Sequence, residues 1–549
     1  MRNRTALRVI VATVLACAAH NTALAQTNEA QSLQELRNTV INLLDGLVKR
    51  GVITQDQAQA MVADAQSKAA ADAKAKADVD ALEKDAVRVT HVPQIVRDEI
   101  SKQIRAELKP EVTKEVIAQA KEEKWGVPAA LPEWLDGIRL FGDLRVRTQR
   151  DDQDMPNVPA DCQALGPDRC LFDFQAINEA GGISVNDEGI YRHVTPDRLR
   201  ARIRLRAGLE AQVSDGVSAV VRLASGNSGD PVSTNQTLGQ GGGRFEIAID
   251  QAYLRFDAGD ASLPWMTVLA GRNPNPFVST DLVWDPDLNF DGLASTWRLG
   301  FGSSPSNAFL TLGAFPLQEI ELSSNDKWLY GGQLGMDWSW ADRARVKLAA
   351  AYYYFDHING VRNPVLDSEL FDYTAQKFMQ KGNTLFDIRN DLDPNTYLFA
   401  LAAEYQLANA TAMLELPLGG YKLSLTADYV RNLGYDEQQV LALGARTTDG
   451  RERTTGYSAE LGFGTADVGK RGNWRAYLAY KHLERDAVVD AFTDSDFNLG
   501  GTDAKGYVLR AEWWFRNRTS VALRYLSTDS IDSVPVNVDV AMLDVIGSF

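Results

Sequence analysis

The chain has 549 residues, 45% of them hydrophobic, and a formal net charge of −16. An acidic total excludes general nucleic-acid binding, which needs a positive surface for phosphate. No run of about 18 apolar residues follows the first 25, which excludes a transmembrane helix.

Residues 1–25 read as a secretory leader. Arg2, Arg4 and Arg8 are followed by apolar Val9 to Ala19 and the small-residue cleavage site Ala23-Leu24-Ala25. With Cys17 lost in the leader, the exported chain keeps Cys162 and Cys170. Two cysteines this close in a polar loop, under oxidising conditions, are expected to form a local disulfide. Two lone cysteines with no histidine beside them make a poor metal site, and no cofactor is expected.

Residues 26–124 are expected to be a helical periplasmic segment. Leu33, Leu36, Val40, Leu43 and Leu47 recur at the spacing of a short coiled-coil seam. Gly51 ends that helix, and Thr54 with Gln57 forms a capping box for the next. Two heptads do not make a strong oligomer alone, so a loose stalk and an oligomer-forming one both fit. Residues 125–136, WGVPAALPEWLD, are a Pro-containing linker.

From 137 to 549 short segments of alternating polarity replace the helical patterns. The pattern predicts sixteen strands, the first Ile138–Gln149, the tenth Asn395–Leu407 and the last Asn537–Phe549. The second, RLRARIRLRAGLEAQV from Arg198 to Val213, is the most informative. Read with period two, Leu199, Ala201, Ile203, Leu205, Ala207, Leu209, Ala211 and Val213 share one face, and Arg198, Arg200, Arg202, Arg204 and Arg206 the other. As a helix the same arginines would scatter around the cylinder and leave no apolar stripe.

The links alternate in length. Ser214-Asp215, Gly259–Pro264, Ala341-Asp342 and Asn517-Arg518 are short; 150–196, 226–244, 273–293, 357–394, 433–454 and 485–504 are long and polar. Outer-membrane barrels have short periplasmic turns, long external loops and an even strand count. Two links break the pattern: 408–420 is long for a turn and 529–536 short for an external loop. Trp338, Trp340, Trp474, Trp513, Trp514 and Phe515 cluster beside short links, as rings at a headgroup layer would. The terminal Phe549 is a recurrent mark of substrates of the outer-membrane assembly machinery. The expected fold is therefore an all-β transmembrane barrel of about 16 antiparallel strands, residues 137–549, behind an α-helical periplasmic segment.

Three stretches, LFGDLRVR at 140–147, NPFVSTDLVWDPDLNFDG at 275–292 and DAVVDAFTDSDFNLGGT at 486–502, resemble the bacterial "putative porin" family. The leading LVKRGVITQDQAQAMVADA is similar to segments found ahead of such barrels. The resemblance implies an outer-membrane pore and names no solute. A broader architectural resemblance, to sixteen-stranded trimeric porins, implies a homotrimer.

A barrel this wide encloses an aqueous channel, so the apolar wall of 198–213 is expected to meet lipid and its arginines water. One Arg facing lipid at mid-membrane costs about 2–4 kcal/mol, and five would exceed a typical folding stability of about 5–15 kcal/mol. Arg145 and Arg147, on one face of the first strand, should extend the same wall. The third long link carries Asp281, Asp285, Asp287 and Asp291. By resemblance to porins whose third external loop folds inward, it is expected to face the arginines and set a transverse field. Two outcomes follow: anion preference, since the guanidinium fork matches carboxylates and phosphates, or mutual neutralisation and little selectivity.

Asp287 to Gly292 matches the first half of an EF-hand loop, but Arg298 stands where the bidentate Glu belongs. Asp494, Asp496 and Asn498 form a similar partial cluster, and solvated loop acids are the default reading of both. Among His20, His91, His193, His357 and His482 none sits in a known catalytic pattern, so an enzyme is not expected. The expected function is passive diffusion of small hydrophilic solutes, anions included, across the outer membrane of a Gram-negative bacterium. The competing class is an envelope tether or surface adhesin that uses the barrel as its lipid anchor.

Overall fold

The computed structural model describes residues 137–549 except 160–169, 185–190, 261, 302–304, 322, 341–342, 368, 391–395 and 446–450. It also describes seven residues between Asp56 and Ala70, all helical. The chain forms two compact units, 1–119 and 120–549. The expected leader, coiled-coil seam and linker lie outside the described residues.

The second unit is built from sixteen long strands. In chain order they are β1 (Ile138–Gln153), β2 (Arg198–Ser214), β3 (Val217–Ser225), β4 (Ile247–Ala258), β5 (Met266–Pro274) and β6 (Asn289–Gly300). Next come β7 (Asn307–Gln318), β8 (Lys327–Trp340), β9 (Ala344–Asp356), β10 (Gln406–Leu418) and β11 (Tyr421–Asn432). The last are β12 (Thr455–Thr465), β13 (Trp474–Leu483), β14 (Ala504–Arg516), β15 (Thr519–Ser530) and β16 (Val538–Ser548). Each pairs antiparallel with the next, and β16 returns to β1 with Val545 opposite Val146. The closed antiparallel barrel therefore leaves no unpaired edge. A two-residue strand, Gln236–Thr237, lies against Arg202 and Ile203 of β2.

The outer and inner walls are reversed relative to a water-soluble protein. Leu199 is 72% exposed, whereas Arg147 is 3% exposed. Leu140, Leu144, Leu205, Leu334, Leu461 and Leu523 likewise face out. Inside, Asp143, Arg145, Asp151, Asp428 and Asp544 are buried. Aromatic rows sit at the short-turn end: Trp338 and Trp340 stack 6.3 Å apart, and Trp265 lies 5.5 Å from Trp297. Trp514 departs from the expected row. It is buried and faces inward, under the Arg475 guanidinium at 5.2 Å, because alternation puts only Trp513 and Phe515 on the lipid side.

Turns 215–216, 419–420 and 517–518 have two residues each. Gly216 turns with φ of 70°, and a side chain there would collide with the Asp257 carbonyl. The opposite end carries loop 1 (154–197), loop 2 (226–246), loop 3 (275–288), loop 4 (319–326), loop 5 (357–405), loop 6 (433–454), loop 7 (484–503) and loop 8 (531–537).

Two predicted boundaries are corrected. The tenth strand is Gln406–Leu418, not Asn395–Leu407, so the overlong turn at 408–420 shrinks to Gly419-Gly420. The apolar run Leu398 to Ala403 is loop 5, buried inside the barrel. The sixth strand starts at Asn289, five residues before the predicted Ala294, which shortens loop 3.

Loops 3, 5 and 7 build a core within the barrel. Trp284 of loop 3 meets Phe290 edge-on at 5.1 Å and Tyr353 at 5.2 Å, and lies 5.9 Å from Phe492 of loop 7. Phe277 rests on Gly331, where any side chain would overlap its ring. This apolar filling leaves the charged inner wall elsewhere on the circumference.

Candidate pore constriction

The inner wall is basic along an arc from β13 to β3. Lys481 stands on β13, Arg510 on β14, Arg524 on β15, Arg145 and Arg147 on β1, the ladder on β2 and Arg222 on β3. Register sets Arg145 opposite Arg204 and Arg147 opposite Arg202. Like charges directly across a strand pair are destabilising, so the arc needs acids among its cations.

The wall supplies the first of them. Asp143 bridges two ladder arginines, accepting from Arg204 at 2.8 Å and Arg206 at 2.7 Å. Asp151 pairs with Arg200 at 3.0 Å. Asp544 of β16 accepts two bonds from Arg147, at 2.8 and 3.0 Å, the bidentate arrangement that suits a guanidinium.

Loop 3 crosses the lumen to supply more. Thr280 donates to Asp428 of β11 at 2.5 Å, which anchors the crossing. Of the four aspartates expected to face the arginines, Asp287 does so, 3.2 Å from Arg206 and 3.7 Å from Arg204. Asp281 instead faces Lys481 at 3.4 Å. Burial pushes its carboxyl up, but Lys481, Arg510 and Arg524 outweigh that and hold it down to about 2. Asp285 ties loop 3 to loop 7, accepting from the Asp287 amide at 2.7 Å and the Ser495 amide at 3.0 Å. Burial, then Asp494 and Asp287, push its carboxyl well above the usual carboxylate range. Asp291 is not on the loop. It lies on β6 and pairs across the strands with Arg272 at 2.9 Å, because β6 begins earlier than its pattern indicates.

Loop 7 is the inward acid arm that sequence reasoning missed. Asp496 lies 3.1 Å from Arg147 and 2.8 Å from Arg524, and Asp494 lies 2.8 Å from Arg524 and 3.8 Å from Lys481. Burial raises the Asp496 carboxyl, but Arg147, Arg524, Arg145 and Arg202 drive it far below its ordinary value. These two aspartates, read from the sequence as solvated loop acids, are partners of the wall, Asp494 buried and Asp496 nearly so. The signal that could have found Asp143 and Asp151 was present: both share the odd-numbered face of β1 with Arg145 and Arg147. Among the described residues no group of three or more His, Cys, Asp or Glu is placed to hold a metal ion. Cys170 is disulfide-bonded, and Cys162 lies outside the described residues.

Among the described residues, Arg145, Arg198 and Arg202 have no carboxylate partner. Arg145 donates to Asn235 of loop 2 at 2.5 Å, and Arg202 reaches Gln149 and Ser233 at 3.4 Å each. The Nε atoms of Arg145 and Arg202 are buried without an acceptor. Two cavities adjoin the constriction. One of about 470 Å³ borders Arg198, Arg200 and Arg202 at the long-loop end. The other, about 430 Å³, lies against loop 3 and borders Glu460, Lys481 and Arg510.

The profile of a family described as "Putative porin" matches residues 37–549. Solved structures with a similar fold include the high-pH structure of OprB from Pseudomonas putida, at 15% identity and TM-score 0.43, covering 78% of this chain and 97% of that one. The outer membrane channel DcaP of Acinetobacter baumannii matches at 13% identity and TM-score 0.39, covering 75% and 97%. A loop-deletion mutant of OmpT from Vibrio cholerae matches at 10% identity and TM-score 0.37, covering 75% and 99%. No curated protein sequence matches the chain.

Proposed function

The chain belongs to the "putative porin" family, and from that premise we propose that it passes small hydrophilic solutes by passive diffusion along its basic arc. Family and barrel together make it a channel of the Gram-negative outer membrane. The observation that carries the finer reading is β2, whose leucines are exposed while its arginines turn inward beside Asp143, Asp151 and Asp287. An inner wall of charged groups suits water and polar solutes. Because loops 3, 5 and 7 fill part of the lumen with an apolar core, the passage is narrow and lies to one side, against β1 and β2.

Most of the ladder is neutralised by acids within ion-pair distance, so the wall as a whole is only weakly selective. The bias toward anions comes from Arg145, Arg198 and Arg202, whose charge no acid among the described residues offsets by contact. Unbalanced fixed charge of one sign in a narrow passage raises the local concentration of the opposite ion. The test is conductance recording with the purified, folded protein in planar lipid bilayers. Small, discrete current steps are expected, and their absence from protein that still shows heat-modifiable migration would remove the channel reading.

A further inference from the structure

The cavity at the long-loop end has features that simple passage does not require. At about 470 Å³ it is in the range of sites that hold small organic molecules rather than single ions. One side is the upper ladder, Arg198, Arg200 and Arg202, with Asp151, Asp197 and Asp230 also on the lining; the other is loop 5, with Phe378 and Lys381. Arg200 already has Asp151, but Arg202 is without a carboxylate, and its Nε is buried with no acceptor. Lys381 is 6% exposed and has no ion-pair partner among the described residues. In the amide orientation its surroundings favour, the Asn498 oxygen accepts from Lys381 Nζ at 3.1 Å.

A cation drawn largely out of water with no carboxylate within ion-pair distance is costly, and here two border the same cavity. We propose that this cavity is a solute-binding site, selective for an organic carboxylate whose charged end lies between Arg202 and Lys381 and whose apolar body rests on Phe378. The proposal rests on the channel reading and adds a substrate class to it. Guanidinium and ammonium groups both donate to a carboxylate, the former bidentately. The apolar surface of Phe378 gives an organic molecule contact that inorganic phosphate cannot use. Burial, with Arg192 nearby, pulls the Lys381 amine down to about 7, so a bound anion increases its charge as well as pairing with it.

The test uses the full chain in detergent and isothermal titration calorimetry, with benzoate as probe, benzamide as its uncharged counterpart and inorganic phosphate as the non-organic anion. Benzoate is expected to bind saturably, with benzamide at least about tenfold weaker, the size of a lost charged hydrogen bond, and phosphate at least about tenfold weaker for want of the apolar contact. Arg202→Gln and Lys381→Met should each weaken benzoate by about tenfold or more, in protein that retains heat-modifiable migration. Arg198→Gln, at the exposed rim, gives a second variant if burial makes Lys381→Met misfold. Equal binding of benzoate and benzamide, equal binding of phosphate, or no effect of Arg202→Gln would each overturn the proposal. Calorimetry reads the site whether or not the protein conducts. Binding without current steps would therefore sink the channel reading and leave the site, whereas current steps without benzoate binding would do the reverse.

Discussion

At the scale of single residues, the constriction is an exercise in placing acids among arginines. Asp143 accepts from two guanidinium groups at once, and Asp496 of loop 7 joins Arg147 of β1 to Arg524 of β15. Not every buried acid has a cation within ion-pair distance. Asp490 of loop 7 accepts from the Gln380 amide of loop 5 at 2.9 Å, and burial, aided by Asp486, pushes its carboxyl up to about 6. Its ordinary value is about 3.9. Between those two values the folded protein keeps a proton that the unfolded chain has released, so folding stability must fall as pH rises through that window. Asp490→Asn, which cannot titrate, should remove that part of the slope. The difference in urea midpoint between wild type and variant, followed from pH 4 to 6, checks it: a constant difference would mean that Asp490 is not held protonated.

At the scale of elements, β2 was legible because five arginines alternate with aliphatic residues over its length, and no other structure sorts them so cleanly. β10 was not, because its outward face is largely alanine, Ala408, Ala410 and Ala412, and its inward face is Asn409 and Thr411. The contrast is weak, and the more apolar stretch just before it is buried among loops rather than facing lipid. The corrected position makes a sharp prediction. Ala410 is exposed near the middle of β10, so Ala410→Arg should cost about 2–4 kcal/mol in unfolding free energy from lipid vesicles. A residue in a periplasmic turn at 408–420 would change stability by no more than about 0.5 kcal/mol, and such a result would return the strand to Asn395–Leu407. The acid partners show the same limit. Periodicity can tell that Asp143 shares a face with Arg145, but which of several long loops folds inward depends on apolar anchors such as Trp284 and Phe492, which meet only in three dimensions.

At the scale of the whole molecule, the sequence and structure agree on the inside-out barrel and on the side of β1 and β2 that carries charge. They differ on the origin of the opposing acids: one of the four expected loop aspartates, Asp287, meets the ladder, and Asp496, Asp143, Asp151 and Asp544 do the rest. Among the described residues of the arc, Arg145, Arg198 and Arg202 have no carboxylate partner, and anion preference should follow them. The most direct measurement is the single-channel reversal potential in a salt gradient, compared between wild type and the double variant Arg145→Gln, Arg202→Gln. Wild type should favour anions and the double variant should lose most of that preference while still conducting. An unchanged reversal potential, or a wild-type channel that favours cations, would contradict the basic arc as the path of the solute.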